Sequence, residues 1–246
     1  MGFDWGYGRY KVSESLSLKA GRMKYTGNLV SEYVDVGYAY PWVRPPEAIY
    51  SEDASLSFES FNGTAIVFSG GDDIEYSAET YIGAEIEDTE SHKKMGGITL
   101  RALNDYGEVK LAYNRSTVLN PGDITDGKNK TYLTLGLKAN WNQWLLITEY
   151  VDSEYSDVPA NDTYGAFATV GYKIGQTTPH ITYQKYDRKT GQNQDSWTLG
   201  VRHYLGSAMA LKLEVQDIKP EAGGLFVSQP AENNVNIISA AINLIF

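Results

Sequence analysis

The 246-residue sequence contains no cysteine. That absence removes both a disulfide scaffold and a cysteine-ligated zinc site. No run of about 18 apolar residues occurs, so no transmembrane helix is available. Mean hydropathy is below zero, which leaves open a membrane strand that shows lipid only every second residue. Histidine is scarce, with three residues. Basic residues number 21 against 31 acidic ones, giving a formal charge of -10. A nucleic-acid binder would need a basic face, and this composition does not provide one. No signal peptide is visible at Met1. No Pro/Ser-rich linker and no shift in composition interrupts the chain, so 1–246 reads as a single domain.

Glycine, tyrosine and tryptophan are plentiful, at 24, 19 and 5 residues. Apolar and polar residues alternate with a period of two through thirteen segments: 3–12, 15–25, 57–69, 73–87, 95–104, 107–118, 131–141, 143–154, 163–174, 177–187, 196–205, 208–219 and 235–246. Such alternation marks strands with two chemically distinct faces. The connections alternate as well. Short ones at 12–15, 69–73, 104–107, 140–142, 175–176 and 205–207 interleave with long ones at 26–56, 88–94, 119–130, 156–162, 188–195 and 220–234. Short turns at one end and long loops at the other are expected of a transmembrane antiparallel β-barrel. A Greek-key sandwich, the soluble alternative, has no reason to alternate so regularly.

The final segment points the same way. Ile238, Ala240, Ile242, Leu244 and Phe246 share one face of a strand that ends the chain. A free hydrophobic edge of this kind aggregates in water, whereas it can close a cylinder in lipid. A terminal aromatic on such a strand resembles the C-terminal signature of bacterial outer-membrane proteins. Trp141, Trp144 and Phe246 fall near short turns, and Tyr113, Tyr150, Tyr164 and Trp197 near long loops. These are the candidates for two interfacial aromatic girdles.

The opposite face carries charge. Basic candidates for an inward wall are Lys19, Arg101, Lys110, Lys138, Lys173, Arg202 and Lys212, and acidic ones are Glu75, Glu79, Glu149 and Glu214. A Lys or Arg on the lipid face costs about 2–4 kcal/mol near the bilayer midplane, so these rows must face a wet or paired interior. Seven basic against four acidic candidates predict a mild anion preference. Catalytic motifs are weak. His92 falls in an expected external loop, and no Ser-His-acid group is suggested by proximity. Asp123 to Asn129 has some oxygen donors of a calcium loop but lacks the closing glutamate, and reads as a solvated turn. No metal site and no cofactor are expected.

The longest connection, 26–56, holds Tyr33, Tyr38, Tyr40, Trp42 and Tyr50 with several prolines. A loop so rich in aromatics must pack on something. Here Lys19-Ala20-Gly21-Arg22-Met23-Lys24, Ser31-Glu32 and the run from Asp35-Val36-Gly37-Tyr38 to Trp42-Val43-Arg44-Pro45-Pro46 resemble the loop that folds into the barrel of Gram-negative porins and forms its constriction. The resemblance implies Glu32, Asp35, Arg44 and Glu47 as constriction residues, with Arg22, Lys24 and Arg101 on the opposing wall. The Pro-Glu-Phe-Gly-Gly motif of the enterobacterial loop is missing, so that pore geometry does not carry over. The resemblance also implies a complete barrel of about sixteen strands, the first few preceding this chain. It further implies a homotrimer in contact with membrane lipid and lipopolysaccharide, and passive diffusion of small hydrophilic solutes and ions through the bacterial outer membrane. The alternative is a structural barrel that sheathes a partner protein, its lumen occupied.

Overall fold

The computed structural model describes residues 5–51, 60–85 and 90–245. Thirteen antiparallel strands form one sheet in sequence order. They are β1 (Gly6–Lys11), β2 (Leu16–Lys24), β3 (Ser60–Gly70), β4 (Glu75–Glu85), β5 (Ser91–Asn104), β6 (Gly107–Leu119), β7 (Asn129–Trp141), β8 (Trp144–Tyr155), β9 (Thr163–Tyr172), β10 (Thr177–Arg188), β11 (Asn193–Tyr204), β12 (Met209–Glu221) and β13 (Val235–Leu244). Among the described residues, the loop after β2 contains one short α-helix, α1 (Glu47–Tyr50). No described helix is long and apolar enough to cross a membrane.

Local chemistry sets the short turns. Between β5 and β6 the Asn104 side-chain oxygen accepts hydrogen bonds from the backbone N–H groups of Tyr106 and Gly107, both at 3.0 Å. Such an Asx turn reverses the chain without help from the rest of the fold. Beyond β9, Gly175 takes a φ of 59°, a left-handed conformation that favours glycine.

Alternation is the organising rule, and its sense is inverted relative to a soluble protein. In β6, Glu108, Lys110, Asn114 and Ser116 are buried while Val109, Leu111 and Tyr113 are exposed. In β11, Gln194, Ser196 and Thr198 are buried while Trp197 and Leu199 are exposed. Leaving apolar area in water forfeits roughly 25 cal/mol per Å², so a sheet with this pattern belongs in lipid.

Packing divides the chain into two compact units. The first comprises Met1–Glu32, Leu56–Gly136 and Val151–Asp162, the second Tyr33–Ser55, Leu137–Tyr150 and Thr163–Phe246. On the polar face of the first unit, Phe61, Tyr81, Tyr25 and Tyr132 make an aromatic chain with centroid separations of 4.8, 6.4 and 6.3 Å. In the second, Trp42 stands edge-on to Phe167 at 5.4 Å and tilts against Tyr40 at 6.0 Å.

Three expectations need correction. Strand β5 begins at Ser91, through a bulge between Lys93 and Gly96, so the connection expected at 88–94 is shorter. His92 therefore lies buried on a strand rather than in an external loop. Strand β9 ends at Tyr172, which leaves Lys173 beyond it, half-buried and bonded to Asn140 Oδ1 at 3.1 Å. Strand β11 begins at Asn193 instead of 196. The outermost expected strand residues at 3–4, 57–59 and 86–87, and the terminal Phe246, lie outside the described residues.

Candidate functional site: the loop between β2 and β3

In the first unit the start of the loop lies on β6 and β7. Lys110 Nζ donates to the Asn28 carbonyl at 3.1 Å and to Glu32 Oε2 at 3.2 Å. Thr134 Oγ1 donates to the Gly27 carbonyl at 2.9 Å, and Asn28 Nδ2 to the Tyr132 hydroxyl at 3.0 Å. Leu29 packs where Gly136 has no side chain. The Lys110 ammonium is buried beneath the loop, while the Glu32 carboxylate stays 46% exposed. A buried ammonium is tolerated only with such partners around it. The neighbouring wall charges are paired: Lys19 with Glu79 at 2.9 Å, Arg22 with Glu85 at 3.2 Å, and Arg101 with Glu108 at 2.7 Å.

In the second unit the remainder of the loop is held chiefly by its backbone. Lys212 Nζ donates to the carbonyls of Gly37 and Trp42, the latter at 2.5 Å, and lies 4.4 Å from the centre of the Tyr40 ring. Glu214 Oε1 accepts the Val43 N–H at 3.0 Å, and Gln184 Oε1 the Ala48 N–H at 3.0 Å. The Trp42 indole N–H lies 3.0 Å from each of the Thr169 and Thr182 hydroxyls. Tyr50 donates to Glu149. At Gly165 a Cβ would collide with the Ala48 carbonyl, so glycine is what lets α1 settle on β9.

Between this part of the loop and β10–β13 lies a cavity of about 50 Å³. Arg44 and Glu47 border it from the loop, and Gln184, Glu214 and Gln216 from the strands. Burial pushes the Glu47 carboxyl above its ordinary value, opposed by the Arg44 charge and by the Gln216 and Gln194 side chains. Burial, with the Asp35 charge, raises the Tyr40 hydroxyl too.

The other expected site residues are scattered. Asp35 and Arg44 are exposed on the loop. Lys24 ends β2 half-buried, and Glu75 begins β4 exposed. Lys138 sits 5.8 Å from the Tyr33 ring centre, and the Arg202 guanidinium 4.6 Å from that of Tyr204. Of the aromatic candidates, Tyr113, Trp141, Trp144 and Trp197 are exposed. Tyr150 and Tyr164 stack edge-on at 5.3 Å. Sequence reasoning missed Glu85 and Glu108, which take up basic wall residues, and Gln184, Gln194 and Gly165. It also missed Arg9 and Lys11, exposed on β1. Arg9 is in register with Lys19 and Lys11 with Ser17, so both share the face of Lys19. Strand parity could have found this pair.

Two motifs resolve into local structure. Asp123 Oδ1 accepts from Thr125 N and Oγ1 at 2.9 and 2.7 Å, and Asp126 Oδ1 from Asn120 N at 3.0 Å, so both carboxylates hold their own turn. His92 contacts Ser116 Oγ at 2.9 Å and Glu90 Oε1 at 3.0 Å, a Ser-His-acid chain. Ser116 and His92 are each 1% exposed, which denies a substrate access to the hydroxyl.

A sequence profile described as Gram-negative porin matches residues 50–223. No curated protein matches the chain. Among solved structures, an anion-selective porin from Comamonas acidovorans superposes with a TM-score of 0.64 at 14% identity, over 93% of this chain and 74% of that one. OmpF of Salmonella typhi, in a complex with daunomycin, gives 0.64 at 12% identity, over 96% and 88%. OmpT of Vibrio cholerae, expressed in the outer membrane, gives 0.56 at 12% identity, over 94% and 75%. At these identities the likeness is one of fold.

Proposed function

Because the chain belongs to the Gram-negative porin family, and is thus an outer-membrane β-barrel channel protein, we propose that it lets small hydrophilic solutes and ions cross by passive diffusion, with the loop at 26–56 as its constriction. The observation that carries this reading is the loop itself. In each unit, described loop residues are bound to the polar face of the strands through loop backbone groups. A segment fixed this way narrows an aqueous path without blocking the lipid-facing side. Glu32, Asp35, Arg44 and Glu47 then present charge to passing solutes, and selectivity follows from width and lining charge. The exposed Arg9 and Lys11 add to the basic side of the wall, so the proposal retains a mild anion preference. It also takes residues 1–246 as one barrel domain, assembled as a homotrimer in lipid and lipopolysaccharide, with the exposed Trp and Tyr residues as interfacial girdles.

Single-channel recording of the full-length protein in a planar bilayer under a salt gradient tests the proposal. Stable steps in groups of three are expected, with a reversal potential on the anion side. Silence from folded, heat-modifiable protein would remove the open channel and favour the occupied scaffold barrel. A cation-side reversal potential would overturn the charge assignment alone.

A further inference from the structure

We infer that the part of the loop from Gly37 to Tyr50 is a strut that couples the connection between β12 and β13 to the short-turn rim of the sheet, so that loosening one end loosens the other. Regulation of the channel through this strut rests on the channel reading; the coupling itself does not.

Strand β11 gives the scale. From Gln194 near its start to Tyr204 at its end is roughly 33 Å at the usual rise per residue. The loop is anchored along that whole length, at the level of alternate β11 residues. Level with Gln194, the connection after β12 comes in: the Leu225 N–H donates to Gln194 Oε1 at 3.1 Å, and Leu225 packs on Ala48 of α1 and on Tyr186. Level with Ser196, Gln184 accepts the Ala48 N–H. Level with Thr198, Thr182 meets the Trp42 indole. Level with Gly200, Glu214 accepts the Val43 N–H. Level with Arg202, Lys212 holds the Gly37 and Trp42 carbonyls. At Tyr204 itself, the Tyr38 ring lies 5.2 Å away, and its hydroxyl donates to the Ser207 carbonyl at 3.0 Å. Long connections face outward and short turns face the periplasm, so the anchors run from the outer rim to the periplasmic one.

Two features make this a strut and not a row of independent contacts. The first is want of slack. Tyr38 and Ala48 are ten positions apart, an extended reach of about 31 Å, against roughly 26 Å of strand between Tyr204 and Ser196. Pro41, Pro45 and Pro46 fix φ along this stretch and stiffen it. With so little chain between anchors, releasing one gives freedom to its neighbours, and the segment opens as a unit. The second feature is the hook at the outer end. Ala222, Gly223 and Gly224 take successive left-handed φ values of 47°, 93° and 54°, which turn the chain back onto the sheet. A Cβ on Gly224 would come within 2.8 Å of the Gln194 side chain. Val227, just past the hook, is fully exposed. A partner that grasps this apex pulls, through Leu225, on the contact that caps α1.

Amide hydrogen exchange of the folded full-length protein in detergent micelles reads the coupling. The Ala39 N–H, bonded to the Val36 carbonyl at 2.8 Å, reports on the rim end, and the Ala48 N–H on the outer end. Tyr38→Phe keeps the ring and removes the hydroxyl donor. It should speed exchange about fivefold at Ala48 as well as at Ala39. Leu225→Ala removes packing on α1, and should speed exchange about tenfold at Ala39 as well as at Ala48. Amides of β10 and β11 are expected to keep their protection in both variants, and heat-modifiable gel mobility checks that each variant folds. Acceleration confined to the altered end, no change at either end, or equal acceleration of the strand amides would overturn the strut. The measurement does not use conductance. A protein whose two ends respond together but which is silent in bilayers keeps the strut and loses the channel, and one that conducts with uncoupled ends loses the strut alone.

Discussion

At the scale of single residues, closeness between loop and wall is decided by an absence. Gly165 stands on the polar face of β9 where any Cβ would strike the Ala48 carbonyl. Gly165→Val should therefore lift α1 off the strand at a cost of about 1–3 kcal/mol, read as a lower unfolding temperature and faster proteolysis within 26–51. Unchanged protease resistance would mean that the approach is not limiting. Alternation already put Gly165 on the polar face, but nothing in sequence placed Ala48 opposite it. Glu47 makes a second prediction. Its carboxyl is raised in the folded loop, chiefly by burial. Folding then favours the protonated form, so this contribution is complete below the ordinary carboxylate value and is lost as pH rises through the raised one. Loop protection should weaken across that window in the parent and stay flat in Glu47→Gln; identical profiles would contradict the burial of this group.

At the scale of elements, the loop is held by residues far along the chain. Lys212 on β12 bonds two loop carbonyls. Lys212→Met would leave the buried Trp42 carbonyl and the part-buried Gly37 carbonyl without this donor, costing about 1–3 kcal/mol for the buried one, and should free the segment around Gly37 to Trp42 for cleavage while the strands remain folded. Digestion patterns with and without the change check this. Strand positions were legible because alternation is a local signal, and turn chemistry is equally local at Asn104. The bulge in β5 was not, since Lys93 and Lys94 break the period and read as the end of a connection. That error carried His92 into a loop. The pairing of Arg101 with Glu108 was within reach, because the two lie on strands joined by a short turn. Arg22 with Glu85 was not, because it joins strands across 63 positions.

At the scale of the whole molecule, the inverted alternation makes a claim about the surroundings. Leu199 is 62% exposed in mid-strand on β11, directly opposite Val215 on β12. Leu199→Arg should destabilise the protein folded in a bilayer by about 2–4 kcal/mol, measured by reversible unfolding in lipid. A change near zero would place that face away from the hydrocarbon.

The amino-acid sequence by itself determined the number and order of the described strands, the chemistry of their two faces and the family resemblance of the loop, because each is written in neighbours two to a few positions apart. Tertiary structure alone decided which wall groups hold that loop. Asn28 meets Tyr132 across 104 positions and Lys212 meets Gly37 across 175, and a period of two carries no information about partners so distant. It also decided that Lys19, Arg22 and Arg101 are matched by Glu79, Glu85 and Glu108, and that Lys110 and Lys212 are buried beneath the loop. A charge's effect depends on what lies within a few ångströms of it, and only the folded chain sets those distances.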